Sequence, residues 1–556
     1  MRTVKIVYII GAISVVSLLG VFFLKNPFQP RVVNIINDNT PKTVERIGST
    51  RIVPPHSITL SFQKIVTTLK PAAATKFYTS HEEHELKYGK EPFNWDEPLI
   101  EDSTSRVLSI VDRKIMYTNP NNDKEVMGFL PYWQLSKYRQ LQYDKLSSIS
   151  YFSLTCYDNG QWVTDSSDYI GFNSASFTNM VTLAHQNNVK VYLVVKNFHN
   201  RSIRDLVANK GGAGEVLINN IVNAVRTKGL DGVNVDFEYI PDSSYPVNTT
   251  LRSNFVKWHD NLADRIHAEF PGATVSTDVF GSSAVSYSAY DIANLGATSL
   301  DYIMFMTYDY ITTSCYEGKK VAPESPLYGN NLYGTPNWNV SSHLTAAARL
   351  ATAKKVLMGI PYYGIDFAVK PNEFSKYNAL ANYPNCGAGT EVYSSIVDPK
   401  FDNVHNASTI KWNDVEKATW YAYQLNGEYR HGYYDDPRSL RAKYDFVRTT
   451  KLGGIGIWAL GYDAGYSDLW NVLREKFQTG PFVLAFTLAT SNSRAVQIMD
   501  ELNVDVISQI SNNVWEVKPE SGLTSLSITA AKKYPEVVVA EFENTDSDRD
   551  VNLHFE

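Results

Sequence analysis

The chain has 556 residues, 44% apolar and 20% charged, with 31 Gly and 24 Pro, a composition that excludes a fibrous, collagen-like or wholly disordered protein. Its net charge of −6, from 52 basic and 58 acidic residues, offers no global basic field to recruit nucleic acid. Three cysteines, none in a C-x-x-C pair, exclude a disulfide framework and a cysteine-based zinc site. Aromatic residues reach 13%, which suits a large core or a surface that stacks on flat ligands such as sugar rings.

In chain order, the first element is an apolar run over residues 6–24, interrupted only by the polar tips of Tyr8, Ser14 and Ser17. As a helix it reaches about 28 Å, enough for a hydrocarbon core of about 30 Å. Arg2 and Lys5 precede it, and it ends Val21-Phe22-Phe23-Leu24-Lys25, without the small residues a signal peptidase needs. Residues 1–25 therefore read as an N-terminal transmembrane signal-anchor with the rest extracytoplasmic; cleavage and secretion is the alternative. In that compartment Cys315 and Cys386 can pair, leaving Cys156 in a strand-like run. Residues 26–124 carry Pro27, Pro30, Pro41, Pro54 and Pro55 and read as a spacer. From Glu82 to Asp102 the sequence is charged, without a sustained helical or strand period, and suggests no function.

Residues 125–478 alternate short apolar strands with amphipathic helices. Strands are predicted over 126–132, 147–154, 189–195, 232–238, 274–279, 302–308, 356–361 and 454–459. Most are continuous apolar runs, the pattern of strands buried on both faces. Helices are predicted over 175–187, 214–228 and 251–270, among others. Eight such units give the α/β class and a (β/α)8 TIM barrel with loop insertions over 311–344 and 366–451. Those insertions belong on the barrel's C-terminal face, where active sites of this fold lie.

The fourth strand carries the chemistry. It reads Leu230-Asp231-Gly232-Val233-Asn234-Val235-Asp236-Phe237-Glu238-Tyr239. With a period of two, Asn234, Asp236 and Glu238 share one face and the apolar residues the other. Two carboxylates pointing into a barrel lumen are costly unless paired, hydrogen-bonded or used. At alternate positions of one strand they feel each other, so at least one pKa is expected to rise, as a general acid at neutral pH requires. A buried structural network or a divalent cation site is the alternative at this point.

Past the barrel, residues 481–545 read strand, helix, hairpin, helix, strand. Strands are expected over 482–486, 504–510, 514–517 and 537–542, with a turn at Asn512-Asn513. This is the order of a small C-terminal α+β (ferredoxin-like) domain, without a polar cluster, and it reads as a packing or interaction module.

The motifs resemble glycoside hydrolase family 18, the chitinase family, whose strand-4 pattern is D-G-x-D-x-D-x-E. Asp231, Gly232, Asp236 and Glu238 match it, while Asn234 stands where the family usually has Asp. Gly128-Phe-Leu-Pro-Tyr-Trp133 looks like the family's strand 1, and Met306-Thr-Tyr308-Asp309 like its strand-6 M-x-Y-D. Gly359-Ile-Pro-Tyr-Tyr-Gly364 resembles strand 7 and Gly453-Gly-Ile-Gly-Ile-Trp458 strand 8. Tyr434-Asp435-Asp436-Pro-Arg-Ser-Leu440 resembles a segment preceding strand 8 in bacterial members. Strand 3 departs, with Val194-Val195-Lys196-Asn197-Phe198 in place of S-x-G-G, which bears on subsite shape.

The resemblance implies hydrolysis of β-1,4 bonds next to N-acetylglucosamine, in chitin-like polymers, peptidoglycan or N-glycans. The route is substrate-assisted, an exception to the two-carboxylate scheme: the substrate's own 2-acetamido oxygen attacks the anomeric carbon. By resemblance Glu238 is the acid and then the base, and Asp236 holds the acetamido N–H. Tyr308 donates to the acetamido oxygen with Asp309 beside it, and Trp458 floors the −1 sugar. Asn234 and, as weaker candidates, Tyr363, Trp133 and Trp412 complete the expected cleft; no metal or organic cofactor is required. A lectin on the same scaffold is the alternative, and the presence of Glu238, Asp236 and Tyr308 favours the enzyme. Expected partners are thus an N-acetylglucosamine polysaccharide and, through the N-terminal helix, a membrane.

Overall fold

The computed structural model describes residues 80–90, 93, 122–329, 337–398 and 410–478, together with six further strands. Eight parallel strands close a barrel: β1 (Glu125–Pro131), β2 (Ser148–Thr155), β3 (Lys190–Asn197), β4 (Gly232–Phe237), β5 (Thr274–Phe280), β6 (Tyr302–Met306), β7 (Val356–Pro361) and β8 (Gly454–Trp458). β8 pairs with both β7 and β1, so the sheet has no edge. The continuous apolar runs are the strands buried on both faces, against the lumen and against the outer helices. Helices Ala175–Gln186, Ala213–Lys228 and Thr249–Glu269 follow the 3.6-residue pattern and turn their apolar stripes to the barrel.

Two residues of the fourth-strand motif serve the fold. Asp231 accepts hydrogen bonds from the Val191 amide at 2.8 Å and from His185 Nε2 at 2.7 Å, pinning the start of β4 to β3. A Cβ on Gly232 would lie 2.0 Å from the Thr274 carbonyl oxygen, so a side chain is excluded by β5.

The expected insertions form a second unit. Strands Gly389–Val392, Tyr363–Ala368, Glu428–Tyr434, Ala418–Leu425 and Ile410–Asn413 make an antiparallel sheet in that order. Ile365, Phe367, Trp420 and Tyr433 of this sheet pack with Ile311 and Val321 of the β6 insertion. Cys315 and Cys386 form a disulfide between the two insertions, with Cα atoms 5.8 Å apart, and Cys156 is a buried thiol.

The Asp435-Asp436-Pro motif opens the helix Pro437–Thr449. The Asp436 side chain accepts from the Ser439 amide and the Asp436 amide donates to Ser439 Oγ, both at 2.9 Å, with Pro437 in the first turn. This is a capping box, so Asp436→Ala is expected to cost about 1 kcal/mol in a denaturant titration.

Residues 80–88 depart from the expected irregular spacer. Ser80–Tyr88 is a helix, α1, following the strand Phe77–Tyr78, which pairs with Arg31–Val32. Its buried positions are histidines, so no apolar period announces it. The C-terminal strands Leu484–Leu488, Val504–Ser511, Val514–Pro519 and Val537–Ala540 form an antiparallel sheet, ordered second, third, first, fourth. The two helices that the ferredoxin-like reading also needs lie outside the described residues. So does the expected anchor over 6–24; no helix among the described residues is long and apolar enough to cross a membrane.

Candidate functional site

The period of β4 places Asn234, Asp236 and Glu238 toward the lumen, where all three are buried. Asn234 Nδ2 donates to Ser276 Oγ at 3.0 Å and to Asp278 Oδ1 at 2.8 Å. Asp278, on β5, was not anticipated from the motifs. Its signal is the same alternation as in β4: Thr274, Ser276 and Asp278 share a face between Val275, Thr277 and Val279. Burial and the nearby Asp236 carboxylate push the Asp278 carboxyl well above the usual range, partly offset by the Asn234 amide.

Tyr308 follows the end of β6 and is buried. Desolvation, then the charges of Asp278, Asp236 and Glu238, raise its phenol well above normal, so it stays a hydroxyl donor. Asp309 adopts φ +56°, and its Oδ1 accepts from Tyr363 Oη at 2.9 Å. Trp458, at the end of β8, is fully buried. Phe152 meets it edge-on at 4.7 Å between ring centroids and Trp133 at 6.2 Å. The barrel therefore gathers Asn234, Asp236, Glu238, Tyr308, Asp309, Tyr363, Trp133 and Trp458 at its C-terminal end. Trp412 is elsewhere, on the insertion sheet, with the Arg438 guanidinium 4.0 Å from its ring centroid.

At the centre of this cluster stands a residue from the spacer. The His81 ring lies on Trp458, centroids 3.9 Å apart and planes 28° apart. Its Nδ1 is 2.8 Å from Asp236 Oδ2 and 3.3 Å from Glu238 Oε1, and its Nε2 is 2.9 Å from Tyr308 Oη. A carboxylate only accepts, so Nδ1 carries a proton toward Asp236, and in the neutral ring Nε2 accepts from the Tyr308 hydroxyl. His84 Nδ1 accepts from Trp458 Nε1 at 2.8 Å, and its ring meets Tyr363 edge-on at 4.6 Å. His81, Asp236 and Glu238 offer ligand atoms within 4.8 Å of one another, a donor set that can hold a divalent cation.

Residues 125–463 match the family model described as Glycosyl hydrolases family 18. Human di-N-acetylchitobiase is 25% identical over 276 residues, which cover 46% of this chain and 66% of that protein. The cortical fragment-lytic enzyme of Bacillus subtilis (strain 168) is 24% identical over 320 residues, 54% of this chain and 65% of that one. The chain thus spans slightly less than two thirds of both relatives. The class V chitinase of Nicotiana tobaccum superposes with a TM-score of 0.53 at 17% identity, covering 64% of this chain and 99% of that one. That likeness speaks for the fold alone.

Proposed function

Because the chain belongs to glycosyl hydrolase family 18, we propose that it cleaves β-1,4 linkages of N-acetylglucosamine-containing glycans by substrate-assisted, retaining hydrolysis. The observation that carries this reading is the paired arrangement of Asp236 and Tyr308 over Trp458. A carboxylate acceptor and a hydroxyl donor contact opposite nitrogens of one small planar ring, at 2.8 and 2.9 Å. An acetamido group needs that same pair, an acceptor for its N–H and a donor for its oxygen.

In the reaction Tyr308 and Asp236 hold the acetamido group so that its oxygen attacks the anomeric carbon as the glycosidic bond breaks. Glu238 gives its proton to the leaving oxygen, and Asp236 stabilises the positive charge that develops on the acetamido nitrogen. Water then enters, Glu238 takes its proton, and the ring-closed intermediate opens with retention. Trp458 presents an apolar face to the axial hydrogens of the sugar. Asp278 lies beside Asp236, so a proton held there lets Asp236 carry its full charge when the intermediate forms.

Asn234 fits this scheme as the donor that supports Asp278. Asn234→Asp removes that hydrogen bond and adds a like charge, which raises neighbouring carboxyl pKa values. The pH–rate profile of the natural chain is expected to be narrower than the variant's, or displaced to lower pH. Identical profiles would remove the role given to this amide.

Chitin-like polymers are the first substrate class. The apolar run over residues 6–24 supports a membrane-anchored, extracytoplasmic placement, which makes peptidoglycan the second. The test is to incubate the full chain and a His81→Ala, His84→Ala form with N-acetylglucosamine hexamer and with purified peptidoglycan. Reducing-end release giving the β-anomer first, seen by proton NMR, is expected. Tight binding without release from both forms would favour the lectin reading.

A further inference from the structure

We propose that α1 is a built-in inhibitor of the cleft: the chain folds in a latent form, with the His81 imidazole in the place of the substrate's acetamido group. This rests on reading the cleft as the site of an N-acetylglucosamine unit.

A neutral imidazole offers one N–H and one lone pair on opposite sides of a small planar ring, as an amide offers N–H and carbonyl oxygen. His81 gives its N–H to Asp236 and, in the neutral ring, accepts a hydrogen bond from the Tyr308 hydroxyl, and its ring covers the Trp458 face at 3.9 Å. A sugar cannot stack on that face while the imidazole is there. His84 occupies the indole N–H of the same tryptophan.

The polarity of α1 is reversed for a structural element. His81, His84, Glu85 and Tyr88 follow the i, i+3, i+4, i+7 spacing and share one face. Both histidines are 0% exposed, whereas Leu86 is 39% exposed. A helix docked for its hydrophobic effect would bury the leucine. This one turns its histidines inward because the aromatic surface it covers carries a carboxylate, a hydroxyl and an indole N–H that need polar partners.

Further contacts fix its position across the cleft. Glu85 forms an ion pair with Lys196 at the end of β3, where the family's usual strand-3 motif is missing. On the other side Lys87 donates to the Thr390 carbonyl of the insertion sheet and lies 3.9 Å from Glu391. Tyr132, just after β1, donates to the Gly89 carbonyl at 3.2 Å. A Cβ on Gly89 would meet Tyr132 Oη at 2.3 Å, so the glycine allows this close exit.

A tethered occupant competes at a high effective concentration, so substrate binds only to the fraction of molecules in which α1 has left. Latency of this kind raises the apparent KM and leaves kcat unchanged at saturation.

The experiment compares three forms on N-acetylglucosamine hexamer: the full chain, His81→Ala with His84→Ala, and a full chain carrying a specific endoprotease site within residues 100–115, cleaved after folding. Release is expected to lower KM by about tenfold or more at constant kcat. The cleaved chain, with no residue changed in the cleft, covers the case in which the double variant misfolds. Equal KM in all three forms would overturn the proposal. Hexamer binding is also titrated by tryptophan fluorescence in a Glu238→Gln background. Binding that tightens on release, with no hydrolysis in any form, supports the inhibitor and rejects the glycosidase. If a synthetic peptide of residues 77–93 binds the double variant and hexamer binds no form, the helix contact stands and the sugar reading fails.

Discussion

Glu238→Gln is expected to lower kcat on N-acetylglucosamine hexamer by about 10²- to 10⁴-fold, the range for removing a positioned general acid–base. Glutamine keeps the volume and the strand geometry but can neither deliver a proton to the leaving oxygen nor accept one from water. Binding depends on Asp236, Tyr308 and Trp458, so KM should change little. The assay belongs in the His81→Ala, His84→Ala background, because His81 Nδ1 is 3.3 Å from Glu238 Oε1 and the substitution would otherwise disturb the helix too. A variant within fivefold of its parent would exclude Glu238 as the acid.

The second large effect is expected at Asp236. Asp236→Asn keeps an oxygen for the acetamido N–H but removes the charge facing the intermediate. Loss of one preorganised electrostatic contact of this type costs about 10²- to 10³-fold in kcat. The same change weakens the contact with His81 Nδ1, so in the unmodified chain it also loosens α1, and the two effects oppose each other in kcat/KM. Measured in the histidine double variant, only the catalytic loss remains. A variant that loses affinity and keeps kcat would make Asp236 a ground-state binding group only.

The barrel could be read from sequence because its strands bury both faces and are written as unbroken apolar runs, as in Val191–Val195 and Ile303–Met306. The polar side of β4 was legible for the converse reason: charged residues at alternate positions inside such a run have no inexpensive structural explanation. Asp278 carries the same alternation, but with a single charge between Ser276 and Val279 it resembles ordinary strand chemistry. Only its neighbours across the sheet, Asn234 and Asp236, distinguish it. The insertion sheet escaped because its strands pair antiparallel and are largely buried, yet they mix aromatic with polar residues such as Asp366, Thr419 and His431 instead of forming unbroken apolar runs. Helix α1 escaped for a deeper reason. Periodicity reading looks for apolar stripes, since water-covered surfaces are usually mated to apolar cores, and a helix that docks on carboxylates and hydroxyls carries its stripe in His and Glu instead. The pattern His81, His84, Glu85, Tyr88 is as regular as any core stripe.

The bond between Cys315 and Cys386 joins loops that leave the barrel after two different strands, β6 and β7. Residues from both loops fill one small core, so a change at that core in one loop is felt by the other. In inheritance the two cysteines should then behave as one character, gained and lost together, with insertions and deletions in the two loops tending to be matched rather than independent.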